Sequence, residues 1–147
     1  MTADFRFGIS SRDKLNTCHP DLVAIAENAL RWSLYDFSII EGRRSLDRQM
    51  KMFRQGVSLI DGTVVKGKHN HDPSQAWDFV PYPVVIEGVS AWEASGHWRF
   101  YVIIGIIHAA AADLQFRIRS GADWNGNGSN TDQKLHDLPH IELVRGE

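Results

Sequence analysis

The chain has 147 residues, of which 43% are hydrophobic and 10% are aromatic. This content is enough to bury one sizeable core, so we expect a single domain over residues 1–147. The formal net charge is only -2, and the sequence has no broad basic field that would hold nucleic acid. Nucleic acid is therefore excluded as an expected partner.

The sequence predicts a soluble protein without a secretory signal. Residues 1–6 contain no basic region followed by a long apolar core, which such a signal requires. The longest apolar stretch, residues 100–112, is interrupted by Gly105 and His108 and is too short to span a bilayer. We expect a monomer that does not insert into membranes.

The single cysteine, Cys18, excludes an internal disulfide. A chain without internal disulfides is compatible with folding in a reducing cytoplasm. A lone cysteine is more often a small buried hydrophobe than a catalytic thiol. We therefore predict that Cys18 lies in the core.

The first half of the chain predicts helices on either side of one short strand. A helical turn is expected at residues 10–15, and a stronger helix over 20–32 begins with a proline whose missing amide would be unpaired anyway. Residues 36–41 are rich in β-branched and aromatic side chains, which favours a strand. A further helix over 45–54 should end at Gly56 as a glycine cap.

The second half predicts one long helix, at residues 97–116, and several strands. We expect His108 to be a buried core residue rather than a ligand. The other predicted buried positions of this helix are apolar or glycine: Trp98, Tyr101, Val102, Gly105, Ile106, Ala109, Ala112 and Leu114. The predicted strands are a hairpin at 59–65 around an Asp-Gly turn, then 76–80, 83–88, 117–124 and 138–144. Together these elements predict an α+β fold, with a small central antiparallel sheet and helices packed on one side.

Residues 66–81 place two histidines and two aspartates beside an apolar strand. Imidazole and carboxylate groups suit a divalent ion such as zinc, and a catalytic zinc needs three protein ligands and an open position. A lone histidine-rich loop is more often a solvated turn, so a metal site requires a further ligand elsewhere in the chain. His140 is the best candidate for this ligand, and Asp137, three residues before it, is the candidate for the catalytic base.

An asparagine- and glycine-rich segment at residues 125–130 follows the strand predicted at 117–124. Alternating Asp and Asn side chains could bind calcium. The bidentate glutamate of a calcium loop is missing at the expected place, so we favour an ordinary loop over a second ion site.

The run GKHNxxPSxAxD at 67–78 and the DxxH at 137–140 resemble the SxH…AxD and (D/E)xxH motifs of zinc peptidases that include D-alanyl-D-alanine dipeptidases and carboxypeptidases. One branch is more similar still: tailed-phage endolysins that are L-alanyl-D-glutamate peptidases. The motifs that resemble this branch are FGxS at 7–10, CHPDL at 18–22, EGxRS at 41–45 with Gln49, and GADW at 121–124. The resemblance covers nearly the whole chain.

The resemblance implies His69, Asp78 and His140 as zinc ligands and Asp137 as the catalytic carboxylate, which is usually glutamate in the carboxypeptidases. It also implies Arg44 as a substrate-facing arginine, although an arginine is often only part of a surface ion pair.

Two points of the motif leave alternatives open. His71 stands seven residues before Asp78, as in the commonest spacing of these peptidases, whereas His69 fits a longer phage variant and is favoured. Gly67 stands where these peptidases carry a serine, so a substrate contact of that serine is missing or supplied elsewhere.

The resemblance implies a zinc-dependent peptidoglycan hydrolase, an endolysin that cuts the L-alanyl-D-glutamate bond of stem peptides with a metal-activated water. A D-alanyl-D-alanine carboxypeptidase would use the same zinc triad and stays an alternative. A non-catalytic wall-binding module is disfavoured because Asp137 is retained. We expect no separate cell-wall-binding domain, and residence in the host bacterial cytoplasm until a membrane-permeabilising protein gives access to the wall.

Overall fold

The helices and strands follow in an order that combines a helical layer with a small sheet. The computed structural model describes residues 4–56, 67–123 and 137–144. The helices are α1 (Ile9–Leu15), α2 (Pro20–Trp32), α3 (Leu46–Arg54) and α4 (Trp98–Asp113), and short 3-10 turns cover Lys68–Asn70 and Ala94–Gly96. The strands are β1 (Asp36–Glu41), β2 (Ala76–Tyr82), β3 (Val85–Ile86), β4 (Val89–Ser90), β5 (Ile118–Gly121) and β6 (Asp137–Leu143). The predicted hairpin at 59–65 and the loop at 125–130 lie outside the described residues.

Helices α2 and α3 begin within one residue of their predicted starts, and each follows a capping side chain. His19 precedes α2, and its Nδ1 accepts a hydrogen bond from the amide of Asp21 at 3.1 Å, with Pro20 in the first position. Ser45 precedes α3, and its Oγ accepts from the amide of Arg48 at 3.2 Å. Each cap satisfies an amide that has no partner within the helix.

The central sheet has four strands in the order β1-β2-β6-β5, and every neighbouring pair is antiparallel. Glu41 of β1 lies opposite Asp78 of β2, and Asp78 lies opposite His140 of β6. Three polar side chains therefore form one row across the middle of the sheet. The α+β fold with an antiparallel sheet is confirmed.

Strand β2 separates a helical face from a polar face. The indole Nε1 of Trp77 donates to the carbonyl of Leu22 in α2 at 3.1 Å, and the ring of Phe79 lies 5.4 Å from that of Phe100 in α4. Because successive side chains of a strand point to opposite faces, Asp78 points away from both helices. The helices thus pack against one face of the sheet, and the polar side chains, including Asp78, lie on the opposite face.

Helix α4 buries a different face from the one its sequence predicts. Trp98 is 52% exposed and His108 is exposed too, so the prediction of a core histidine is wrong. The buried positions are Arg99, Phe100, Ile103, Ile104, Ile107, Ala110 and Ala111. This helix is apolar on nearly every side, so periodicity does not fix its rotation; the contact of Phe100 with Phe79 does.

The segment predicted as a strand at 83–88 is half of a two-stranded hairpin formed by β3 and β4. Glu87 and Gly88 form its turn with φ of 51° and 79°, as a tight hairpin requires. Within the described parts of the chain, no helix is both long enough and apolar enough to cross a membrane.

Cys18 is buried, as predicted, and its Sγ lies 3.5 Å from the carbonyl oxygen of Lys14 and 3.8 Å from that of Ala76. Burial raises the pKa of this thiol to about 11. The thiol is therefore protonated at neutral pH and does not act as a nucleophile.

Candidate functional site

Three buried side chains meet on the polar face of the sheet: His69, Asp78 and His140. Each offers one ligand atom, and these atoms lie within 4.8 Å of one another. His69 Nε2 is 3.1 Å from Asp78 Oδ1 and 3.2 Å from His140 Nδ1, and His140 Nδ1 is 3.4 Å from Asp78 Oδ1. We refer to these residues as the triad.

Two members of the triad are held by strands and the third by a turn. Asp78 and His140 face each other across β2 and β6. His69 lies in the 3-10 turn, where Asn70 Oδ1 accepts from the amide of Gly67 at 2.9 Å and Asn70 Nδ2 donates to the carbonyl of Arg44 at 3.1 Å. The amide of Arg44 donates to the carbonyl of His69 at 2.7 Å. The turn is thereby fastened to the chain that follows β1.

The ring of His69 is oriented by a backbone carbonyl. Its Nδ1 lies 2.8 Å from the carbonyl oxygen of Gly42. A carbonyl only accepts hydrogen bonds, so Nδ1 carries the proton and Nε2 faces the triad. Gly42 is needed here because a Cβ at this position would collide with the carbonyl of Lys14 and the hydroxyl of Thr17.

The charges of the triad favour occupation by a cation. Burial would raise the pKa of Asp78, but its contacts with His140 and His69 hold it well below its ordinary value. Burial would lower the pKa of His140, yet its hydrogen bonds to Asp78 and Glu142 raise that pKa to about 9. Without metal, a proton on His140 neutralises the site, and a divalent cation would replace it. Two imidazoles and one carboxylate are a donor set that fits zinc with a position left open.

Asp137 lies at the start of β6, beside the triad but not within it. Its Oδ2 is 4.0 Å from His140 Nδ1, and its side chain is 44% exposed. Burial and the neighbouring charge of Asp78 raise the pKa of Asp137. Gly121 allows this approach of β5 to β6, since a Cβ there would overlap the carbonyl of Asp137. A carboxylate with raised proton affinity next to a cation site can act as a general base.

Arg44 lies on the other side of the triad and is buried. Its Nε and Nη2 donate to the two carboxylate oxygens of Glu41 at 3.0 Å each, and its Nη1 donates to Gln49 at 2.7 Å. Its Nη2 is 4.0 Å from Asp78 Oδ2. These three hydrogen bonds occupy only part of a guanidinium with five donors. Arg44 is therefore a fixed cation at the edge of the site and not a surface ion pair.

Comparison with known proteins identifies the family. A family model described as phage L-alanyl-D-glutamate peptidase matches residues 3–144. The chain belongs to this family. It is 32% identical over 143 residues to the L-alanyl-D-glutamate peptidase of Escherichia phage T5, covering 95% of this chain and 98% of that protein. The crystal structure of the Serratia marcescens L-Ala D-Glu endopeptidase ChiX matches with a TM-score of 0.73 and 32% identity, covering 96% of this chain and 91% of that one.

Membership in the phage L-alanyl-D-glutamate peptidase family confirms the resemblance predicted from the motifs and makes the protein a peptidase. The predicted residues His69, Asp78, His140, Asp137 and Arg44 all lie at one place. The alternative ligand, His71, is partly exposed and does not belong to the triad. The chemical roles of these residues stay predictions.

Some contacts of this peptidase site are not predicted by the sequence. Glu41 and Gln49 belong to the motif that contains Arg44, but the motif does not indicate that both accept hydrogen bonds from its guanidinium. Glu142, whose Oε1 lies 2.9 Å from His140 Nε2, is not among the predicted site residues. One signal could have found it: a glutamate two residues after a candidate ligand in a strand points to the same face.

Proposed function

We propose that the protein is a zinc-dependent peptidoglycan hydrolase, an endolysin that cleaves the L-alanyl-D-glutamate bond of stem peptides. The observation that carries this proposal is the buried triad with Asp137 beside it, in a chain whose relatives are named for that bond. Zinc is favoured by the donor set of two imidazoles and one carboxylate.

Each residue of the site has a distinct role in this proposal. His69 would present Nε2, His140 Nδ1 and Asp78 a carboxylate oxygen to the ion. Bound zinc would lower the pKa of a water molecule and polarise the scissile carbonyl. Asp137 takes the proton of the attacking water and later delivers a proton to the leaving amine.

Arg44 binds the substrate in this proposal. A guanidinium pairs with a carboxylate through two parallel hydrogen bonds and also stabilises a developing oxyanion. Glu41 and Gln49 fix its plane before the substrate arrives. Arg44 therefore loses little conformational entropy on binding.

The D-alanyl-D-alanine carboxypeptidase alternative would use the same triad. The endopeptidase assignment is favoured because ChiX, at 32% identity over 96% of this chain, is named an endopeptidase. We further propose that residues 1–147 act as one monomeric peptidase domain. The enzyme would stay in the host cytoplasm until a separate membrane-permeabilising protein gives it access to the wall.

Digestion of purified sacculi, followed by mass spectrometry of the released peptides, tests this function. We expect fragments with a new amino-terminal D-glutamate, and a loss of products after chelation that added zinc restores. Release of D-alanine alone would replace the proposal with the carboxypeptidase. Binding to sacculi without any cleavage product would replace it with a non-catalytic wall-binding module.

A further inference from the structure

A second carboxylate supports the triad from the side away from Asp78. Glu142 follows His140 by two residues on β6, so the two side chains share one face. Its Oε1 lies 2.9 Å from His140 Nε2, and its Oε2 accepts from Arg119 Nη2 at 2.8 Å. Glu142 is only 5% exposed. A buried carboxylate that uses each oxygen for a different hydrogen-bond donor has a defined orientation.

Arg119 reaches Glu142 from the outer strand of the sheet. Arg119 of β5 lies directly opposite Glu142 of β6. Its side chain is 42% exposed, whereas that of Glu142 is 6% exposed, so the pair runs from the protein surface to the triad. The Nε of Arg119 is buried and has no hydrogen-bond partner among the described residues. The guanidinium thus engages Glu142 through Nη2 rather than through a symmetric fork.

The contact with Glu142 decides which nitrogen of His140 is available as a ligand. An ionised carboxylate only accepts hydrogen bonds, so Nε2 carries the proton. The lone pair of the neutral ring then lies on Nδ1, the atom that faces Asp78 and His69. Histidine ligands are commonly fixed in this way by a carboxylate bound to the other ring nitrogen.

The two histidines of the triad differ in this respect. His69 is oriented by the neutral carbonyl of Gly42, which is part of the backbone. His140 is oriented by a charged side chain, which also increases the electron density that the ring offers to a cation. Only the support of His140 can therefore be removed by substituting a side chain.

We propose that Glu142 and Arg119 are positioning residues that hold His140 as the Nε2-protonated tautomer and thereby set the zinc affinity of the site. Arg119 keeps the carboxylate of Glu142 in place and balances its charge. This inference rests on the zinc site of the proposed function.

Zinc affinity, measured by competition with a chelator, tests the proposal on four variants of the full chain. Glu142→Leu removes the acceptor at similar volume, and we expect zinc to bind about 10–100-fold more weakly. Glu142→Gln still accepts from Nε2 without the charge and should lose less. Arg119→Met should fall between Glu142→Gln and the wild type. Glu27→Gln, which removes another carboxylate paired with an arginine at 3.5 Å, is the matched control and should match the wild type.

A spectroscopic measurement separates positioning from simple loss of stability. Long-range proton–nitrogen NMR of the zinc-loaded wild type should show a proton on His140 Nε2, and Glu142→Leu should show a mixture of states or a changed nitrogen shift. Cobalt(II) substitution should give an altered visible spectrum for Glu142→Leu and an unaltered one for Glu27→Gln. If Glu142→Leu does not fold, Glu142→Gln and the wild-type tautomer still decide the matter.

Two results would overturn the inference. One is Glu142→Leu binding zinc within about twofold of the wild type, well inside the loss expected for such a contact. The other is a zinc-loaded wild type with the His140 proton on Nδ1. A wild type that binds no zinc at all would be a different outcome, because it would remove the proposed zinc dependence itself together with this inference.

Discussion

The two faces of strand β2 have opposite chemistry although their residues alternate along one segment. On the helical face, Trp77 and Phe79 are fully buried and contact α2 and α4. On the other face, Asp78 is buried between two histidines and lies within 4.0 Å of an arginine. The difference separates the two tasks of the sheet: one face stabilises the fold, and the other holds charges that would destabilise a core if left unpaired.

Substitution of a triad residue should have the largest effect, because it should abolish both zinc binding and hydrolysis. We expect His140→Ala and Asp78→Ala to lose stoichiometric zinc and all measurable hydrolysis, because two remaining ligands cannot hold the ion against water. Metal analysis of the purified variants and digestion of sacculi measure both effects. His69→Ala should behave in the same way, whereas His71→Ala should keep zinc. Stoichiometric zinc in Asp78→Ala and His140→Ala would contradict the site.

Loss of Asp137, the proposed base, should affect catalysis alone. We expect Asp137→Ala to keep zinc and fold while the rate of peptide release falls roughly 10²–10⁴-fold, the usual contribution of a positioned general base. Initial rates at equal zinc content provide the measurement, with Asp13→Ala, at an exposed position of α1, as control. An unchanged rate would mean that another residue is the base; lost zinc would make Asp137 a ligand.

A change on the helical face should have the reverse effect. Phe79→Ala deletes a fully buried ring, and we expect the free energy of unfolding to fall by about 3–5 kcal/mol. Chemical denaturation measures this loss. The folded fraction should still bind one zinc ion per chain, because Asp78 and His140 belong to the other face. A variant of wild-type stability without zinc would refute this separation of the two faces.

The smallest expected effect concerns the support of Arg44, and it depends on pH. Burial would raise the pKa of Glu41, but hydrogen bonds from Arg44 and Arg48 lower it below its ordinary value. A carboxylate whose pKa is lowered by folding stabilises the protein above its unfolded pKa of about 4.3, and this contribution is lost as the pH falls through the folded pKa. Glu41→Gln should therefore lower the free energy of unfolding by about 1–3 kcal/mol at neutral pH.

Urea unfolding of the wild type and Glu41→Gln at a series of pH values checks this sign. The difference between the two proteins should shrink as the pH is lowered below about 4. Glu27→Gln, at an exposed ion pair, should show a much smaller difference at every pH. A difference for Glu41→Gln that grows on acidification would contradict the lowered pKa.

Local signals were sufficient for much of the fold. The proline that opens α2, the glycine that follows α3 and the β-branched run of β1 act within a few residues, so these elements lie where the sequence predicts. The rotation of α4 was not predictable from its own residues, because nearly every position is apolar. It depends on Phe79, which is distant in sequence.

The site likewise contains residues that the sequence predicts and contacts that only the tertiary structure shows. Motif spacing brought His69, Asp78 and His140 together as candidates, but spacing alone did not decide between His69 and His71. The carbonyl of Gly42 distinguishes them, since it fixes the ring of His69 toward Asp78. The spacing of two residues within β6 places Glu142 beside His140. Its pairing with Arg119 depends on the register of β5 against β6, and no local pattern in the sequence encodes that pairing.

The redox state of the surroundings should not affect the proposed zinc site, because the one thiol of the chain, Cys18, is buried and is not a ligand. With a pKa of about 11 and little access to solvent, this sulfur resists alkylation and oxidation as long as the fold is closed. The triad contains nitrogen and oxygen donors only. Passage from a reducing compartment to an oxidising one would therefore leave the ligands chemically unchanged, and the rate at which an alkylating reagent modifies Cys18 would report how often the first helices open from the sheet.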